Sequence, residues 1–326
     1  VHAGVSWNGA VWPGGRFCHY CDSLTTWPIR GSSVRDGLYE CADCQQQFSV
    51  TTRTPMHATK LPLWKWLLAC YFLFQSSKGV SSVFLARWVG VSQKTAWKMG
   101  HAIREMMRTP DNAPLLAGVV EMDEKFIGGK PRFQKHVINK RGKGTKKAGV
   151  FIAVERQGQV RTAPIPNDGY DALGPLADAF VRKDAHLMTD GNPTYWRIGQ
   201  DYHRHESVDH TSKEFVRGQV HNNTAESFGA LLERMKFGTY HQISRQHLPR
   251  YLEEAAFRWN QRRRVPVLGP RKKVRYRMEP VPVLDMLGAA LRNAVRRELR
   301  RTKAGGIAPP TKRGAAIRAG TLLPSE

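Results

Sequence analysis

Four of the five cysteines fall into two Cys-x-x-Cys pairs, Cys18-His19-Tyr20-Cys21 and Cys41-Ala42-Asp43-Cys44, with nineteen residues between them. Two such knuckles at this separation suit one tetrahedral Zn²⁺ held by four thiolates, which leaves no position open for catalysis. The site is therefore read as structural. His19 and Asp43 lie inside the knuckles and are not read as ligands, while Phe17, Tyr39 and Phe48 supply the apolar support that small hairpins need. A redox pair, or simple unpaired thiols, is the alternative use of the same residues. Cys70 shares an apolar helix face with Leu63, Leu67 and Phe74 and reads as a core thiol.

The chain as a whole is strongly basic: 51 Lys and Arg stand against 27 Asp and Glu in 326 residues, a net charge of +24. A polyanion is the natural partner, and counterion release favours nucleic acid. A membrane surface is the other candidate. No apolar run reaches the ~20 residues that span a bilayer. The longest, Leu61 to Phe74, is interrupted by Pro62 and Lys65, and Val1-His2-Ala3-Gly4 lacks the start of a signal peptide. Hydrophobic residues make up 41% of the chain, enough for a proper core in two or three domains.

Four parts are expected: a cysteine module over 14–53, a helical region over 60–110, a mixed α/β region over 115–265, and a basic, partly helical extension over 266–326. In the second part Pro62 suits a first helical turn. A helix from Ser81, a turn at Gly90 and a second helix capped by Ser92 then match a helix-turn-helix, whose second helix would carry Gln93, Lys94 and Lys98 towards DNA. An ordinary helical hairpin has the same pattern.

From residue 118 the pattern turns to strands: 118–123, 149–155, 160–164 and 186–190, rich in Val, Ile and Phe, with a helix over 173–181. Three carboxylates punctuate this region. Asp123 lies in Glu121-Met122-Asp123-Glu124, Asp190 ends a later strand, and Glu226 opens a helix. Alternation puts Glu121 and Asp123 on one face and Glu124 on the other. Acids in this order fit a ribonuclease-H-like α/β fold, and together they can hold two Mg²⁺, or Mn²⁺, for in-line phosphodiester chemistry. Each acid alone has a plainer use: a solvated edge strand, an Asp-Gly turn, or a capping box from Asn223 to Glu226. The basic loop carrying Lys130, Arg132, Lys143, Lys146 and Lys147 would contact phosphate, as would His221, Arg234 and Lys236. His203, His205 and His210 read as loop residues or DNA contacts before they read as a second metal site. No Gly-x-x-x-x-Gly-Lys-Ser/Thr loop points to a nucleotide cofactor.

Taken together these residues resemble the IS1595-type (ISXO2-like) transposases of bacterial insertion sequences, over roughly residues 14–265. The likeness rests on the four cysteines followed by Phe48-Ser49-Val50-Thr51-Thr52, on Gly90 to Trp97, on Met122-Asp123-Glu124 with Gly128-Gly129-Lys130, and on Thr189-Asp190-Gly191. It continues through Asn223-Thr224-Ala225-Glu226-Ser227-Phe228, Gly238-Thr239-Tyr240-His241, Tyr251 to Glu254, and Phe257 to Arg262. The resemblance implies a zinc ribbon followed by a DDE-type core of ribonuclease-H-like fold, with Asp123, Asp190 and Glu226 catalytic. It also implies double-stranded DNA as partner (element ends and target), a homo-oligomer on DNA, and a cytoplasmic, nucleoid-associated setting.

One departure stands out. The family usually has Lys or Arg seven residues after the third acid, and this chain has Glu233, with Arg234 and Lys236 beside it. That carboxylate favours a rival reading, a non-catalytic DNA-binding regulator or inactive relic. Arg271, Lys272, Lys273, Arg296, Arg297, Arg300, Arg301 and Lys303 lie beyond the core likeness and read as an extra phosphate-binding tail.

Overall fold

Near the middle of the chain, residues 148–155 run Ala-Gly-Val-Phe-Ile-Ala-Val-Glu with six consecutive buried positions, the signature of a strand covered on both faces. The computed structural model describes residues 7–128, 147–209, 212, 214, 216–268 and 274–299. Lys130, Arg132, Lys143, Lys146, His210, Arg271, Lys272, Lys273, Arg300, Arg301 and Lys303 lie outside these residues. The chain divides into two units, residues 1–76, 82–111 and 281–326 in one, and 77–81 with 112–280 in the other.

The first unit begins with α1 (Trp7–Val11) and a small antiparallel sheet of β1 (Thr26–Pro28), β2 (Tyr39–Cys41) and β3 (Gln47–Phe48). Buried Trp12, His19, Tyr39 and Phe48 meet ring to ring beneath it. Three helices follow, α2 (Leu63–Gln75), α3 (Ser82–Val89) and α4 (Gln93–Met106). Pro62 sits one residue before α2. Between α3 and α4, Gly90 takes φ +66°, which a side chain rarely adopts, so the turn is tight. The Ser92 hydroxyl accepts the Thr95 N–H at 3.2 Å and starts α4. Ala96, Met99, Ile103 and Met106 form the buried stripe of α4.

A late element, α9 (Val283–Arg292), joins the same unit and packs on α1, α2 and α4 through Met286, Leu287, Ala290 and Leu291. Just after it, Arg297 is buried and donates to the carbonyls of Arg108 (2.9 Å) and Thr109 (3.2 Å) beyond the end of α4. Arg297 therefore caps a helix C-terminus and is not offered to phosphate as the sequence suggests. Arg296 pairs with Asp22.

The second unit is built on a five-stranded sheet. Its strands are β4 (Val119–Ile127), β5 (Ala148–Glu155), β6 (Val160–Ile165), β7 (His186–Asp190) and β8 (Arg204–Val208), in the order β6-β5-β4-β7-β8. The first three are antiparallel, and β7 and β8 add in parallel. One face is covered by α5 (Tyr170–Phe180) and α6 (Pro193–Gly199), which meet Val120, Met122, Phe151 and Ala153. The other is covered by α7 (Asn223–Met235) and α8 (Leu248–Asn260), which meet Val150, Ile152 and Val154. An antiparallel triplet extended by two parallel strands is the ribonuclease-H-like order expected from sequence.

Two details differ from the sequence expectation. β4 runs on to Ile127 because Glu124, Lys125, Phe126 and Ile127 pair with Phe151, Val150, Gly149 and Ala148. The strand β8 is new: Arg204-His205-Glu206-Ser207-Val208 is too polar to read as a strand, but such residues suit the edge of a sheet. Its His205 ring bonds the Thr189 hydroxyl at 2.8 Å, so it is no loop residue. No helix of the described residues is long and apolar enough to cross a membrane.

Candidate active site

The parallel pairing of β4 with β7 sets Val119 against His186, Val120 against Leu187 and Glu121 against Met188. Two residues further along both strands stand Asp123 and Asp190, the latter at the carboxyl end of β7, where open α/β sheets bind ligands. Burial pushes the Asp123 carboxyl up to about 7, and the negative charges of Glu124 and Asp190 add to the shift. Asp123 accepts the Glu124 N–H at 2.8 Å, and Asp190 accepts the Asn192 N–H at 3.1 Å.

Alternation along β4 separates the neighbouring acids. Glu124 points to the α6 face, where it accepts Asn192 Nδ2 and the Tyr195 hydroxyl, each at 2.6 Å. Tyr195 is fully buried, and burial followed by the Glu124 charge holds its phenol well above the ordinary range. Asn192 in turn caps α6 through Thr194 N–H. Glu124 thus braces the turn that follows Asp190.

Glu121 and Asp123 share the opposite face, towards α7. Glu121 is fully buried and serves as the N-terminal anchor of that helix. It accepts the N–H groups of Thr224 (2.6 Å) and Ala225 (3.0 Å) and the Thr224 hydroxyl (3.0 Å). A carboxylate at a helix N-terminus satisfies free donors and complements the dipole. Arg156 completes the arrangement: its Nε donates to Glu121 at 2.6 Å, while its Nη groups reach the Gln219 and His221 carbonyls, both at 2.8 Å. Asn222 Nδ2 donates to the Met122 carbonyl at 3.1 Å. Glu121 was visible in sequence only as an acid beside Asp123, since the groups it holds lie 103 and 104 positions away.

Removing one partner of a buried, hydrogen-bonded ion pair costs about 3–5 kcal/mol. Glu121→Ala is therefore expected to lower the melting temperature sharply, because it strands the Arg156 guanidinium and uncaps α7. A wild-type melting curve would mean that this network contributes nothing to stability.

Glu226 lies in the first turn of α7, just past the residues held by Glu121. Three residues on, a side chain at Gly229 would meet Lys125 at 3.5 Å and Ile152 at 3.8 Å, so the helix runs close over β4 and β5 there. Glu226 itself is exposed, on the helix that covers the Asp123 face of β4. Glu233 completes the stripe and pairs with Lys125 at 3.5 Å. The carboxylate that departs from the family pattern is thus matched by a cation on the sheet.

The proposed DNA contacts are scattered. Gln93 and Lys94 are exposed at the start of α4, Gln93 donating to the Ser82 hydroxyl at 2.8 Å, and Lys98 is half-buried. Arg234 is exposed on α7. Lys236 begins a π-helical turn (Lys236–Tyr240) and donates to the Gly128 carbonyl. The His221 ring faces Glu121 at 3.3 Å and Arg156 at 3.1 Å, which ties it into the anchor of α7. Lys147 is half-buried just before β5.

Two metal chemistries fit the residues present. In the second unit, half-buried Asp123, with the charges of Asp190 and Glu124 acting on it, concentrates negative charge that a hard, oxygen-liganded cation would offset. In the first unit the sulfurs of Cys18, Cys21, Cys41 and Cys44 all lie within 4.8 Å of one another. The Cys18–Cys44 and Cys21–Cys41 separations are 3.6 and 3.5 Å. Tetrahedral bonds of about 2.3 Å require about 3.8 Å between sulfurs. The two knuckles repeat each other: Asp22 and Gln45, each following the second cysteine, take φ of +68° and +54°, and each donates its N–H back to the first cysteine at 3.0 Å. This cluster can hold structural zinc.

The chain thus carries a ribonuclease-H-like sheet with acids on two adjacent parallel strands, and, in its other unit, a cysteine cluster that can hold zinc. Residues 115–260 match the ISXO2-like transposase domain. A relative in Halobacterium salinarum, described as an uncharacterized protein in transposable element ISH50, is 28% identical over 254 residues, covering 74% of this chain and 84% of that protein. Among solved structures, the chain in the crystal structure of the Mos1 strand transfer complex is 14% identical, with 62% of this chain and 75% of that one covered at a TM-score of 0.27. The chain in a pre-cleavage Mos1 transpososome is 12% identical over 73% and 80%, also at 0.27. Likenesses this shallow add nothing to the topology already described.

Proposed function

We propose that this protein is a DDE transposase that binds the ends of an insertion sequence, cuts there, and joins the freed 3′-OH ends to target DNA. The observation that carries the reading is the register of β4 on β7, which ends at Glu121 with Met188 and so leaves Asp123 and Asp190 each two residues further along adjacent parallel strands, on the sheet that the helix bearing Glu226 covers. Asp123, Asp190 and Glu226 are the catalytic set and the ligands for two Mg²⁺, with Mn²⁺ as substitute. Bound there, such cations would activate the attacking oxygen and stabilise the leaving one. The chain's own part is to hold the carboxylates: Glu124 braces the turn after Asp190, and Glu121 with Arg156 sets the start of α7. The exposed side chains of Gln93 and Lys94 on α4 are read as end-recognition contacts, with the basic segments holding phosphate. The partner is double-stranded DNA, engaged by a homo-oligomer. The pairing of Glu233 with Lys125 offsets the charge of the carboxylate that favours the inactive reading.

Two experiments bear on this. Purified protein should nick a duplex carrying the element's terminal repeat when Mg²⁺ or Mn²⁺ is added. Binding of that duplex without cutting in either metal would favour a regulator. The second concerns pH. The Asp123 carboxyl is raised from 3.8 to about 7 in the metal-free fold. A raised acid contributes stability that is full below 3.8 and lost as pH climbs through 7. Metal must displace that proton, so Mg²⁺ affinity should gain about tenfold per pH unit up to 7 and then level off. Isothermal titration at several pH values reads this slope, and a flat profile from pH 5 to 8 would contradict the assignment of Asp123 as a ligand.

A further inference from the structure

Beyond the family-matched residues the chain forms a separate two-stranded ribbon, β9 (Arg262–Leu268) and β10 (Val274–Pro280). Seven residue pairs hold it, from Arg262 with Pro280 to Leu268 with Val274. Among the described residues no third strand joins it. A lone hairpin is marginal in water. A hairpin that stands alone is therefore expected to take an occupant against one of its faces.

The root of the ribbon is fixed: the Arg262 guanidinium lies 3.7 Å over the Trp259 ring at the end of α8, and its Nε donates to the Trp259 carbonyl at 2.9 Å. Beyond that root Arg263, Arg264, Arg275 and Arg277 are all exposed, against the single acid Glu279, which pairs with Arg277. The strand register puts Arg263, Arg275 and Arg277 on one face. Arg264 sits on the other, its guanidinium stacked 3.7 Å over Tyr276.

We propose that this ribbon is an arm that binds duplex DNA, with Arg263, Arg275 and Arg277 set against phosphates. The inference rests on the reading that the substrate is DNA, but it concerns a surface that neither the three acids nor the helix-turn-helix includes. Shape supports it: two strands about 4.8 Å apart and about 24 Å long form one of the elements that a major groove about 12 Å wide admits. Charge supports it too. A second copy laid symmetrically on the same face would bring the three arginines against themselves, whereas phosphates neutralise them.

The test is fluorescence anisotropy of a random-sequence 30-base-pair duplex, without Mg²⁺, at a series of NaCl concentrations. Each phosphate contact adds about 0.9 to the slope of log affinity against log salt. The double variant Arg263→Gln/Arg275→Gln should flatten that slope by about 2 and weaken binding by about tenfold or more at 0.15 M salt. Arg263→Lys/Arg275→Lys should restore the slope, because Lys still meets phosphate. Arg182→Gln/Arg204→Gln, which removes two charges elsewhere on the same unit, should leave it within about 0.5 of wild type. An unchanged slope in the first variant overturns the proposal, as does a shift in oligomeric state by light scattering with DNA affinity intact. Because no cleavage is measured, an inactive catalytic site would leave this result untouched.

Discussion

Asp190→Asn is expected to abolish strand cleavage and joining while leaving DNA binding near wild type. Asn keeps the size of Asp, but it loses the charge that would hold a hard cation. Loss of one member of a catalytic unit costs about 10⁴-fold or more in rate. The positive segments that hold phosphate are unaffected, so binding should stay strong and strongly salt-dependent. Replacing Lys94 and Lys98 with Gln should do the reverse, weakening end binding before it touches metal-dependent chemistry. Gel-shift and cleavage assays on a single terminal-repeat duplex separate the two effects. Wild-type cleavage by Asp190→Asn would remove Asp190 from the catalytic set.

The second large effect is expected from removing zinc. The module over residues 14–53 has strands of two or three residues and a small aromatic core, too little to fold securely alone. Structural zinc contributes about 10–16 kcal/mol in peptides of comparable design. Freshly purified, reduced protein should therefore contain one zinc per chain. A strong chelator should free four thiols and erase the ordered signals of Cys18 to Cys44 in NMR spectra. Cys70 should not react under the same conditions, because burial pushes its thiol up to about 12. Zinc-free protein with those signals intact would contradict a structural metal here.

Much of this molecule is legible in one dimension because its signals are local. The cysteine knuckles, the turn at Gly90 with the Ser92 cap, and the alternation that parts Asp123 from Glu124 each rest on a few neighbouring residues. The ribonuclease-H-like order follows from long apolar strands that need cover on both faces. Other features depend on partners far along the chain. Glu121 looks like one more acid until Thr224 and Arg156 are placed around it. Arg297 looks like a phosphate contact until the carbonyls after α4 are seen to accept its hydrogen bonds. Glu233 looks like a defect until Lys125 appears opposite. β8 was hidden for another reason, since an edge strand of Arg, His, Glu and Ser has no apolar periodicity to read.

The central claim, that Asp123, Asp190 and Glu226 form one two-metal centre, is tested most directly by crystals soaked in Mn²⁺. Anomalous diffraction locates manganese without reference to any assay. The account predicts two peaks about 4 Å apart, with Asp123 coordinating and Asp190 and Glu226 on either side. A Glu226 carboxylate turned away from manganese bound at Asp123, or crystals of competent protein with no manganese at these acids, would contradict it.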